Sequence, residues 1–211
     1  MNPSLRCFSV LVLLVSGTLV CTTGRAEIIS DNLPQARSGF QVLGTDTGEN
    51  AELAQAFTTT ANSTITTVTV NLSMSAANSF LRIYDDNADK PGSPVATIAT
   101  GVHALADPFT QNNVFSSLAI GLAADTKYWL VMGGSTGGWG FNNPNTGTGA
   151  GYLPNNALWK VGNATWSSSV TSEPYRLKIE AVPEPAGLAI ASGALMFFAW
   201  TIARQRVARI R

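Results

Sequence analysis

Ser63-Thr64-Ile65-Thr66-Thr67-Val68-Thr69-Val70-Asn71-Leu72 decides the fold class of this 211-residue chain. Apolar and small polar residues alternate in it, with no 3.6-residue period that would favour a helix. Ile65, Val68, Val70 and Leu72 share one face only if a kink or bulge near Thr66-Thr67 resets the register, because side chains in a strand alternate with a period of two. The same pattern recurs on either side. Phe80, Arg82 and Tyr84 alternate with Leu81 and Ile83, and Tyr175, Leu177, Ile179 and Ala181 alternate with Arg176, Lys178 and Glu180. The latter is the pattern of a strand with one wet face.

Further strands are expected at Gln55–Thr59, Val95–Ala99, Val114–Leu118, Lys127–Met132 and Leu158–Val161. Turn signals separate them, including Asp89-Lys90-Pro91-Gly92 and Ala123-Ala124-Asp125. Eight or more short strands of this kind predict an all-β domain, an antiparallel β-sandwich of jelly-roll-like form, over residues 27–181. The stretch 133–157 is rich in Gly and Asn and reads as a long flexible or turn-dense loop.

The two ends differ from this middle. Residues 1–26 have the layout of a signal peptide: Arg6 in the n-region, an apolar run from Cys7 to Val20, and small residues at Gly24 and Ala26 for cleavage before Glu27. Both cysteines, Cys7 and Cys21, fall inside it, so the mature domain is expected to have no thiol, disulfide or Cys-based metal site. The formal net charge of zero averages unlike regions. The ends are basic, whereas 27–182 holds seven Lys and Arg against twelve Asp and Glu. A mildly acidic domain lacks the clustered cations that nucleic acid requires.

Residues 182–211 change composition again. Val182-Pro183-Glu184-Pro185-Ala186 is expected to break the last strand, since proline removes backbone donors. Residues 187–203 form an uncharged apolar run, the expected transmembrane helix, close to the minimum length for crossing a bilayer. Arg204, Arg206, Arg209 and Arg211 follow as a cytoplasmic stop, which leaves the domain on the far side of the membrane. The ordered triplet of Pro183-Glu184-Pro185, apolar span and Arg-rich terminus resembles the PEP-CTERM sorting signal of Gram-negative bacteria. That resemblance implies an exosortase as partner, recognising Pro183, Glu184 and Pro185. It also implies residence in the inner membrane before processing, a final place at the cell surface or in the matrix, and an association with exopolysaccharide or biofilm. The runs Ala54–Thr59, Ile83–Asn87 with Lys90-Pro91-Gly92, and Thr126–Val131 resemble the choice-of-anchor R domain of exported surface proteins, which implies no defined activity.

Candidate chemistry is sparse, and a non-enzymatic structural or adhesive domain without cofactor is expected. His103 is the one histidine, and no Gly-x-Ser-x-Gly elbow accompanies it. Asp85, Asn87 and Asp89 have the alternate oxygen spacing of a calcium loop, but Lys90 stands where that loop needs glycine, so a hairpin turn is the plainer reading. Asp46, Glu49 and Glu52 are the carboxylates that a glycosidase reading would use. Trp139, Phe141, Tyr152 and Trp166 are candidates for stacking on sugar rings, which would make the domain a carbohydrate-binding module.

Overall fold

The computed structural model describes residues 25–34, 37–43, 50–107, 111–142, 146–168 and 173–184. All regular structure among them is β, and every pairing is antiparallel. The strands are β1 (Glu27–Asp31), β2 (Arg37–Leu43), β3 (Ala51–Thr59), β4 (Ser63–Val70), β5 (Leu72–Met74), β6 (Phe80–Asp86) and β7 (Pro91–Thr100). They continue with β8 (Asn113–Phe115), β9 (Ile120–Leu122), β10 (Thr126–Gly134), β11 (Gly137–Asn142), β12 (Tyr152–Val161), β13 (Ser167–Ser168) and β14 (Leu177–Pro183).

Three sheets result. A six-stranded sheet runs β13-β12-β3-β10-β6-β7, a second sheet runs β1-β14-β4-β8 with β9 also on β4, and a three-stranded sheet runs β2-β11-β5. Their inward faces meet in one apolar core. Leu53, Phe57, Leu81, Ile83, Leu130 and Met132 enter it from the six-stranded sheet, and Val68, Val70, Leu177 and Ile179 from the β4–β14 pair. Leu43, Leu72, Met74 and Trp139 come from the three-stranded sheet. Each fully buried side chain of this size contributes roughly 1.5–3 kcal/mol.

The decisive stretch behaves as expected. Glu180 pairs with Thr67 and Ala181 with Ile65, so Thr66 is the extra residue of a β-bulge. Its carbonyl accepts a hydrogen bond from Leu118 N at 3.1 Å. The bulge puts Ile65, Val68, Val70 and Leu72 on one side, and all four are fully buried. At Asn71 the chain leaves the β4–β14 pair and joins the three-stranded sheet. Three backbone hydrogen bonds close a ring there: Asn71 N to Arg176 O (3.2 Å), Arg176 N to Gly140 O (2.8 Å) and Gly140 N to Asn71 O (2.8 Å). A Cβ on Gly140 would run into Asn71 Oδ1, so a side chain there would have to displace the Asn71 amide.

Two expectations are corrected. The described residues of the stretch 133–157 do not form one long loop. They carry the end of β10, all of β11 and the start of β12, and Thr148 exchanges both backbone hydrogen bonds with Asp31. Glycine serves close packing here, since a Cβ on Gly133 would strike the Phe80 ring and one on Gly138 the Phe40 ring. The last strand also does not stop before Val182. β14 continues through Pro183, which lies opposite Ser63, because proline at a strand end forfeits no ladder bond that the sheet needs.

Candidate functional site

The end of β14 is where the fold meets the Pro183-Glu184-Pro185 motif. Ala181 is held between Glu27 on β1 and Ile65 on β4, Val182 lies opposite Thr64, and Pro183 opposite Ser63. Glu184 N donates to Asn62 O at 2.9 Å, and Asn62 Oδ1 accepts from Ala124 N at 2.8 Å. The β3–β4 turn therefore holds Glu184, and the β9–β10 turn in its turn bonds the Asn62 side chain. Glu184 itself is exposed. Because β1 and β14 are antiparallel, with Glu27 beside Ala181, the start of β1 and the end of β14 lie side by side. Pro185, the apolar run 187–203, Arg204, Arg206, Arg209, Arg211 and residues 1–24 lie outside the described residues. Sequence reasoning found the motif but not that its first two residues are held by the sheet, since the partners Asn62 and Ser63 are remote in the chain.

The four aromatic candidates do not form one surface. Trp139 is fully buried: its indole stacks on Tyr175 (centroids 5.0 Å apart, 18° between planes) and Nε1 donates to Arg176 O at 2.9 Å. Neither ring face is offered to a ligand, which corrects its assignment to a sugar-stacking site. The glycines beside it suggested exposure, but they are small because neighbouring strands occupy their space. Phe141 packs against the same core with its ring over Gly39, and the Tyr152 ring lies over Gly147. Burial raises the Tyr152 phenol above its ordinary pKa, with the Asn32 side chain partly opposing. Trp166 stands elsewhere, on the outer face of the six-stranded sheet, with Lys160 Nζ 4.9 Å above its ring.

That outer face carries a second apolar cluster. Ala54, Ala56, Trp129 and Val131 are its buried members, and Phe80, Tyr84, Leu153, Leu158 and Trp166 pack around them. Cations cover the rings, with Arg82 Cζ 4.3 Å from the Phe80 centroid and Lys127 Nζ 4.7 Å from Trp129. Such contacts bury the aliphatic stems of long cationic side chains while their heads screen the aromatic faces.

The acidic hairpin is a turn. Asn87 N donates to Lys90 O at 2.8 Å, and Ala88 and Asp89 both take positive φ (52° and 62°), the geometry of a two-residue hairpin. Its carboxylates are engaged within the sheet. Asp86 Oδ1 accepts from Trp129 Nε1 at 2.7 Å, Asp85 Oδ1 accepts from Ser93 N, and Asp89 pairs with Lys127 at 2.8 Å. The hydrogen bond from Lys127, and then its charge, hold Asp89 below the usual carboxylate range. Among the described residues no group of three or more His, Cys, Asp or Glu is arranged to hold a metal ion.

The remaining candidates are tied into the fold as well. Glu52 pairs with Lys160 at 3.0 Å across the β3–β12 ladder, and Asp46 and Glu49 lie outside the described residues. His103 bridges Met74 through its backbone and meets the Phe115 ring edge-on at 5.3 Å. The polar interior braces sheets rather than gathering chemistry: Asn32 Nδ2 donates to Tyr175 O at 3.0 Å, Asn32 Oδ1 accepts from Leu177 N at 2.7 Å, and Gln55 Oε1 accepts from Tyr175 N at 3.0 Å. No family model matches the chain, and no curated protein matches it either.

Proposed function

We propose that this chain is an exported, non-enzymatic surface or matrix protein, a jelly-roll-like β-sandwich delivered by a signal peptide and sorted through its C-terminal tail by an exosortase. The tail spans the inner membrane before processing, and the mature domain then serves a structural or adhesive role in an exopolysaccharide-containing matrix. The observation that carries this reading is the order of parts after β14: Pro183-Glu184-Pro185, the apolar run 187–203 and the four terminal arginines. Two features support it. The start of β1 and the end of β14 lie side by side, as suits a domain handled at a membrane through both termini. The candidate catalytic carboxylate Glu52 and the histidine are committed to an ion pair and a ring contact within the fold.

The test is expression of the full chain in matched hosts with and without an exosortase. Tail removal and release from the inner membrane are expected only where the enzyme is present. Identical processing in both hosts would sink the sorting reading.

A further inference from the structure

Two of the three cations on the outer face of the six-stranded sheet are neutralised within the fold. Lys160 pairs with Glu52, and Lys127 with Asp86 and Asp89. Arg82 is the exception. Among the described residues it has no ion-pair partner, and its Nε is shielded from solvent without an acceptor. Its guanidinium is held over the Phe80 ring, with Cζ 4.3 Å from the centroid. A guanidinium is always charged, and one that is partly desolvated and unmatched by a carboxylate is costly to the fold. An orphan of this kind calls for an explanation, and an incoming anion supplies one, because the planar fork takes a carboxylate through two parallel hydrogen bonds.

The neighbours of Arg82 indicate which anion. In the β6–β7 pair Phe80 lies opposite Thr100, Arg82 opposite Thr97 and Tyr84 opposite Pro94, so these six side chains share the outer face. Pro94, Thr97 and Thr100 are exposed, and β7 is an edge strand, so the strip is open along its length. From Phe80 to Tyr84 it runs about 13 Å, at ~3.3 Å per residue. Two threonine hydroxyls and the phenol of an amphipathic ring therefore flank one fixed cation. That combination suits a sugar bearing a carboxylate, whereas an acidic peptide brings the charge but no hydroxyls for the row. Resting on the matrix role proposed above, we propose that this strip binds an acidic polysaccharide, with Arg82 taking a uronate carboxylate and Tyr84, Thr97 and Thr100 the adjacent hydroxyls. The domain carries more acids than cations, so most of its surface repels such a polymer and Arg82 sets where the polymer lands.

The test uses the detergent-solubilised full chain and two immobilised uronate polymers, polygalacturonate and alginate. Methyl-esterified polygalacturonate serves as the same backbone without charge. Retention is expected on at least one acid polymer, weakening as salt is added, and roughly ten-fold less on the ester. Arg82→Gln should weaken binding to the acid form about ten-fold, while the exposed Lys90→Gln should bind as the parent does. Tyr84→Phe keeps the ring and should lose about three-fold, and it decides alone if Arg82→Gln fails to fold by circular dichroism. No retention on either uronate polymer, equal retention on the ester, or unchanged affinity in the folded variants would overturn the proposal. So would poly-glutamate held as tightly as the sugar polymers, since the strip would then read charge alone. The purified chain needs no exosortase, so absent binding leaves the sorting reading standing, and a tail left uncut in an exosortase-bearing host leaves the binding result untouched.

Discussion

Replacing Trp139 with alanine separates a core indole from a ligand-binding one. The side chain is fully buried, so its loss leaves a cavity among Leu72, Tyr175 and the neighbouring core, and truncations of this kind cost about 3–5 kcal/mol. The Arg176 carbonyl also loses one of its two donors, the indole at 2.9 Å, and keeps Asn71 N, so this hydrogen bond contributes about 0.5–1.5 kcal/mol. The stack on Tyr175 at 5.0 Å adds about 0.5–1.5 kcal/mol. These contributions overlap, since the three contacts share one side chain, and a total near ~5 kcal/mol is expected. For a domain of this size that corresponds to a fall in Tm of about 10–20 °C. Trp139→Phe keeps a ring over Tyr175 and loses the donor, so a smaller cost of about 1–3 kcal/mol is expected. Thermal and urea unfolding of the full chain, followed by near-ultraviolet circular dichroism, measures both variants. If Trp139→Ala melts within about 3 °C of the parent, the indole is not a core residue and the reasoning fails.

Other expectations follow from the same geometry. Gly140→Ala forces a Cβ into Asn71 Oδ1 where three backbone hydrogen bonds pin the chain, and should cost about 1–3 kcal/mol in urea unfolding; a neutral result would mean the junction relaxes freely. Asn32→Ala strands the Tyr175 carbonyl and the Leu177 amide inside the fold, so roughly 2–4 kcal/mol should be lost, against almost nothing for the exposed Asn163→Ala as a control. The phenol of Tyr152 is raised by burial, so the stability tied to it is fully present below the unfolded tyrosine pKa of about 10 and is lost as pH rises beyond that value. Tyr152→Phe should flatten that alkaline decline; an unchanged profile would assign the loss to other groups. Asp89 is shifted the other way by Lys127, so its small contribution is present at neutral pH and fades only in acid, and Asp89→Asn should remove that part of the acid dependence.

The sequence made the strands legible where burial on one face enforces alternation. Leu177, Ile179 and Ala181 are buried as their spacing requires, and the break in alternation at Thr66-Thr67 correctly announced the bulge. β11 was not legible. Gly137, Gly138 and Gly140 look like linker residues, and what makes them strand residues is their pairing with β2 and β5, brought from distant parts of the chain to crowd the space a side chain would take. The same long-range filling misled the reading of Trp139, whose local surroundings are small but whose spatial surroundings are the core. Short strands such as β5, β8 and β9 carry three residues each, too few for a period to register. The hairpin at Asn87–Lys90 was readable as a turn from its residues, but the cation that organises it, Lys127, belongs to another strand.

The start of β1 and the end of β14 lying side by side has a mechanical consequence. When Glu27 and Glu184 are drawn apart, the antiparallel β1–β14 pair is loaded as a zipper, one rung after another from Glu27–Ala181 inward, and not all together as shear along the strands would load it. Tension between these two points would open the β1–β14 seam at lower force than a pull along the strand axis.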